Sequence, residues 1–182
     1  MSNSLKTKKK YYLWTGKSNP VNLNFILNEK NTGLEIYGIF LGEDSDKFPL
    51  NISVNHKVGD TKSRIIVRGI LTDKAQVEFK GNVNIKKGAR RSDTHLEAKS
   101  ILLSPDAKNR LEPYLEIDEN DVKATHSTYA GPLDEHEIFY LRSRGFSYEK
   151  ARSLLTEGFI GEIMRRFPEK EQKKIRKFLS KI

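Results

Sequence analysis

The chain has 182 residues, enough for one domain with a real core, and carries a formal charge of +9 from 33 lysines and arginines against 24 acidic residues. Cysteine is absent, which excludes a disulfide framework, a thiolate nucleophile, and a Cys-ligated zinc or iron-sulfur site held by this chain alone. No window approaches the ~18 apolar residues of a membrane span, and the basic N-terminus leads into no apolar signal core, so the expected setting is cytoplasmic with no membrane partner.

Residues 1–20, with Lys6, Lys8, Lys9 and Lys10, read as a basic, flexible N-terminal tail. From 21 to 131 the chain offers short β-rich runs at intervals of about ten residues, separated by Gly, Asn, Asp and Lys turns. They are Leu34 to Leu41, Leu50 to Val54, Ser63 to Leu71, Gln76 to Phe79, Val83 to Ile85, Thr94 to Ala98, Ile101 to Leu103, Tyr114 to Ile117 and Asp121 to His126. Such spacing suits a sandwich, a barrel or a β-solenoid. Tyr37-Gly38-Ile39-Phe40 recurs in kind as Arg68-Gly69-Ile70-Leu71, and Phe79 to Val83 holds a further glycine; this favours a solenoid, although glycines marking bulges in a sandwich fit as well.

After Pro132 the grammar turns helical. Asp134 can cap a helix, with Glu137 reaching back to it, and Ile138, Phe139 and Leu141 supply apolar contacts before Gly145 stops the turn. Ser147 can cap a second helix, in which Ala151, Leu154, Leu155 and Ile163 share one face, and Pro168 starts a third. Residues 132–182 thus form a C-terminal helical segment whose apolar faces are expected to pack on the end of the β array. Its basic residues, from Arg165 to Lys181, are interleaved with Glu162, Glu169 and Glu171, as on a solvated helix face, so no nucleic-acid partner is expected.

One resemblance organises these pieces. Leu115-Glu116-Ile117, Asn120 to His126, Gly131 to Glu135 and Phe139 to Gly145 resemble, in order and spacing, the C-terminal part of SufB and SufD, the scaffold proteins of iron-sulfur cluster assembly. Weaker echoes run through His56 with Thr61 to Ser63, Gly69 to Leu71, Phe79 to Gly81 and Leu102 to Ser104, so the likeness covers roughly residues 35–165. The resemblance implies a right-handed parallel β-helix followed by a small helical segment, and a scaffold, not an enzyme. It also implies pairing through the β-helix, with a SufB/SufD-like paralogue or with itself as a homodimer, and docking of a SufC-type ABC ATPase on the C-terminal helices.

Among four histidines, His126 stands where SufD carries a His implicated in building the nascent cluster, so the resemblance makes it the candidate ligand for iron or a transient iron-sulfur cluster. A hydrogen-bonded histidine at the strand-to-helix junction is the equal alternative. Ala124 stands where SufD-type members often carry Cys, and Ser127 where SufB-type members have Glu, so any iron binding is expected to be weak. His56 reads as a hydrogen-bonded turn histidine, His95 as a strand residue paired across coils, and His136 as an exposed ring in the first turn of a helix.

Phe139, Tyr140, Arg142 and Arg144 combine aromatic anchors with planar donor forks, the mixture that protein interfaces concentrate, and one of the two rings is expected to pack internally. No Walker A run occurs, so ATP hydrolysis would belong to a partner. Two other readings remain. A β-helix polysaccharide-active enzyme would use carboxylates such as Asp93, Glu97, Glu116, Asp118 and Glu119, and a nucleic-acid-binding protein would use the basic ends.

Overall fold

The computed structural model describes residues 5–16 and 19–182. Among them, nine strands precede three helices: β1 (Lys6–Thr15), β2 (Val21–Leu27), β3 (Thr32–Gly42), β4 (Lys47–His56), β5 (Lys62–Leu71), β6 (Gln76–Ile85), β7 (Ser92–Leu102), β8 (Lys108–Ile117) and β9 (Val122–Gly131), then α1 (Glu135–Ser143), α2 (Tyr148–Met164) and α3 (Glu169–Leu179). The strands sort by parity into a five-stranded sheet, β1-β3-β5-β7-β9, and a four-stranded sheet, β2-β4-β6-β8. Every pairing is parallel. A chain that alternates between two parallel sheets must wind, so each pair of strands is one coil of a β-solenoid. The offset is 29 residues between Asn22 and Asn51 and 31 between Ser63 and Thr94.

Period-two alternation fills the space between the sheets. Phe48, Leu50, Ile52 and Val54 of β4 face Ile36 and Phe40 of β3 and Ile65, Val67 and Leu71 of β5 in one buried cluster. Each such side chain contributes about 2 kcal/mol of burial. The sequence divides Gln76 to Phe79 from Val83 to Ile85, and Thr94 to Ala98 from Ile101 to Leu103, yet each pair is one strand. Continuous pairing of β6 with β4 carries the chain through Lys80, Gly81 and Asn82, overriding their turn preference.

The glycine echo is real but shifted in register. Phe40, not Gly38, pairs with Gly69. The ring of Trp14 lies over Gly38 and that of Phe40 over Gly69, where an added Cβ would overlap it. Each glycine makes room for an aromatic ring of the preceding coil.

Two expectations are corrected. Lys6–Thr15, assigned from sequence to a flexible tail, forms β1 along the full edge of β3; residues 1–4 and 17–18 of that tail lie outside the described residues. The helices do not cover the end of the array but the outer face of the odd-strand sheet. There Ile160, Ile163, Met164, Phe167, Ile175 and Phe178 pack on Tyr37, Ile39, Leu41 and Ile70, with Tyr11 and Leu13 beside them. Arg68 fastens α2 to this face. It pairs with Glu97 at 2.9 Å and Glu162 at 3.0 Å, and its Nη1 donates to the Phe159 carbonyl at 2.9 Å.

The helix starts follow the sequence. Asp134 accepts from the His136 N–H at 2.8 Å, Ser147 accepts from that of Lys150 at 3.2 Å, and Gly145 turns the chain at φ 91°.

Candidate functional site

Because the helices lie along one flank, none of the described residues forms a coil stacked on the last one. Leu111, Pro113, Leu115 and Ile117 of β8 continue the interior column of Phe79, Gly81, Val83 and Ile85. Val122, Ala124, His126, Thr128 and Ala130 of β9 continue that of Ser92, Thr94, Leu96, Ala98 and Ser100. One coil earlier these positions are almost fully buried; in the last coil Ile117 is 43% exposed, and His126 and Thr128 are exposed. His126 therefore sits on an interior position with no coil to cover it. Its register neighbour is Leu96, and no group of three or more His, Cys, Asp or Glu able to hold a metal exists among the described residues. One chain offers a metal here a single imidazole.

His56 occupies the opposite environment. It is fully buried, with Nδ1 2.7 Å from Thr61 Oγ1 and Nε2 2.9 Å from Ser63 Oγ. Those hydroxyls bond onward to Ser92 and Thr94 in the next coil. Burial lowers its pKa from 6.5 to about 4, against a smaller opposing pull from Asp93. Valine and alanine hold the equivalent places in β9, so the polar ladder stops at the open coil. His95 bonds across coils to Thr125 at 2.8 Å, as its strand position implied, and His136 is exposed.

Beside the open coil, α1 exposes Phe139 (73%) and Tyr140 (57%), and the turn into α2 exposes Phe146 (41%) and Tyr148 (45%), while Ile138 anchors α1 inside. Neither Phe139 nor Tyr140 packs internally, contrary to the expectation for one of them; Ile138 fills the single inward place of α1. The Arg144 guanidinium lies 5.3 Å from the Tyr140 ring centroid, and Arg142 is exposed on the same turn. Phe146 and Tyr148 were not singled out from sequence, although their places on either side of the capping Ser147 mark them as turn residues. A cleft of about 610 Å³, lined by Lys99, Tyr129, Leu133, Leu155 and Phe159 among others, separates this hairpin from the last strand.

The carboxylates that a polysaccharide enzyme would need do not converge. Asp93 pairs with Lys62, Glu97 with Arg68 and Lys99, and Asp118 with Lys86. Glu116 accepts from Asn82 and Asn84 on the other sheet, and Glu119 from the Gly88 and Asn120 amides at a corner.

The fold and this region define a parallel β-solenoid with an uncovered end coil and an exposed hairpin that carries aromatic rings and arginines. Comparison with known proteins narrows the class. The domain described as "SUF system FeS cluster assembly, SufBD core domain" matches residues 8–159. Similar proteins include the iron-sulfur cluster assembly protein SufD of Escherichia coli, 29% identical over 75% of this chain and 32% of its own length. An iron-sulfur cluster assembly SufBD family protein of Mycobacterium leprae is 32% identical over 71% of this chain and 35% of its own, and Bacillus subtilis SufD is 32% identical over 70% and 29%. The chain belongs to the SufB/SufD family, and it spans about a third of the length of these relatives. Among the described residues no helix is long and apolar enough to cross a membrane.

Proposed function

We propose that this chain is a cytoplasmic SufB/SufD-like scaffold subunit for iron-sulfur cluster assembly. It pairs through the β8–β9 end of its solenoid and docks a SufC-type ATPase on its helical segment. The observation that carries this reading is the last coil, whose interior column is open and whose strand β9 has one unpaired edge, next to the exposed α1–α2 hairpin. An edge strand left free is a template for another chain, and β9 has Lys123 as its one lysine. A second copy, or a SufB/SufD-like paralogue, placed on this end would cover Leu115, Ile117 and Ala124 and bring a second donor set to His126.

The cluster is cargo in this scheme. His126 would contribute a neutral imidazole nitrogen, and the remaining ligands would come from the partner or an external thiol, because the chain has no thiolate. ATP hydrolysis is the partner's.

Capture of a SufC-type ATPase tests the docking half. Wild type should retain it and the Arg142→Ala, Arg144→Ala double variant should not; undiminished capture by the double variant would move the docking surface elsewhere. Anaerobic iron-sulfur reconstitution tests the other half, with His126→Ala expected to hold less iron than wild type, and equal iron contents counting against a ligand role.

A further inference from the structure

The other end of the solenoid is built differently. β1 is the edge strand of the odd-strand sheet, with one neighbour, β3. Lys6 N–H donates to the Asn31 carbonyl on the β3 side, and backbone groups alternate along a strand, so the amides and carbonyls of Thr7, Lys9, Tyr11 and Leu13 point away from β3 with no strand among the described residues to receive them. The side chains alternate too. Lys8 and Lys10 are in register with Leu34 and Ile36, the interior column, and Lys6 with Thr32 on the same face. All three lysines are exposed, and none makes an ion pair among the described residues; Lys9, on the outer face, is matched by Glu35 at 3.6 Å. They rim a cleft of about 470 Å³ floored by Phe25, Leu27 and Leu34. Further along the same face come Tyr12 and Trp14, stacked with centroids 5.7 Å apart.

Three same-face lysines two residues apart repeat every ~7 Å. They disfavour pairing with a basic strand, since like charges directly opposite each other repel, and an apolar strand would leave their charges unmatched. One kind of strand satisfies both the free backbone groups and the charges: an extended segment with carboxylates at alternate positions. The interior positions of β9, Val122, Ala124, His126, Thr128 and Ala130, hold no carboxylate, so a second copy in head-to-tail stacking does not supply it.

We propose that β1 is a docking edge for an extended acidic segment of a partner protein. The segment adds as a sixth strand, with its alternate Asp or Glu side chains opposite Lys6, Lys8 and Lys10 and an apolar side chain opposite Tyr12. The backbone supplies the pairing and the lysines select the sequence, as in other strand additions. This site lies at the opposite end from the β8–β9 edge, so its test is independent of the scaffold reading.

The probes are a labelled octapeptide alternating glutamate with threonine, a peptide of the same composition with its glutamates in one block, and an oligothymidine. Fluorescence anisotropy should show the alternating peptide binding at least about tenfold more tightly than the block peptide, with that preference lost in the Lys6→Gln, Lys8→Gln, Lys10→Gln triple variant. Amide exchange should slow at Thr7, Lys9 and Tyr11 on binding. Equal affinity for the two peptides, unchanged binding by the triple variant, or unprotected amides would overturn the proposal. Tighter binding of oligothymidine, without amide protection, would assign this edge to nucleic acid instead.

Discussion

The middle coils and the last coil share one backbone plan and differ in what fills it. Between β3 and β7 the interior column is almost fully buried, mostly apolar with one ladder of hydroxyls, and its one histidine, His56, has both ring nitrogens within hydrogen-bonding distance of those buried hydroxyls. Between β8 and β9 the equivalent positions hold half-buried leucines, a proline, an exposed isoleucine and His126. The interior of a solenoid is therefore supplied by stacking: a residue on the inward face is core only if another coil follows. Substitutions in the middle coils should act on folding, and those in the last coil on association.

The largest effect is expected at Gly69. Replacement by leucine drives a side chain into the Phe40 ring, which is itself fully buried, and should cost about 3 kcal/mol or prevent folding, read by thermal unfolding and soluble yield. A glycine-like tolerance there would break the contrast outright.

Acid should act on the same coils through His56. Its folded pKa is depressed to about 4 from 6.5, so the unfolded chain binds a proton across this window that the folded chain refuses. The stabilising contribution is complete above pH 6.5 and is lost as pH falls toward 4, by about 3 kcal/mol in all. Urea unfolding at neutral and acidic pH measures it, and a His56→Gln variant should show a correspondingly shallower dependence through that window.

At the open coil the expected readout changes. Ala124→Lys places a charge on the free interior column and should weaken the proposed pairing about a hundredfold, read as a shift toward monomer in light scattering, with the thermal midpoint measured at high dilution, where the chain is monomeric, left unchanged. A loss of monomer stability instead would mean that this column is already closed. The smallest effect is His126→Ala, which should change stability by less than about 0.5 kcal/mol while lowering iron retention.

Much of this division was visible in the residues. Alternation in β4 and β5 gives their inward faces directly, and Asp134, Gly145, Ser147 and Pro168 punctuate the helices where they occur. β1 was hidden because both of its faces are used. Tyr12 and Trp14 serve the interior, while Tyr11 and Leu13 meet the helices, so Tyr11-Tyr12-Leu13-Trp14 shows no polar alternation, and the lysines before it look like a tail. The position of the helices was hidden for a related reason. Tyr37, Ile39 and Leu41 are as apolar as the inward residues beside them, and local pattern does not say which face a helix covers. The likeness to SufB and SufD pointed to His126, but only the strand register shows it on an uncovered interior column. Phe139 and Tyr140 have the composition of core residues, and their exposure follows from the inward side of α1 being taken by Ile138, with Leu141 half-buried beside it.

The helical flange also changes how the molecule holds together. In a bare solenoid each coil touches only its neighbours, so coils can fray one by one from either end. Here Phe167, near the end of the chain, stacks edge-on against Tyr11 in the first strand, and Lys181 reaches Glu43 at 2.9 Å. These contacts tie the helical segment to both β1 and the turn after β3, across several coils at once, so the array should melt as a single cooperative unit. Removing the final helix should turn one sharp transition into a series of partial ones.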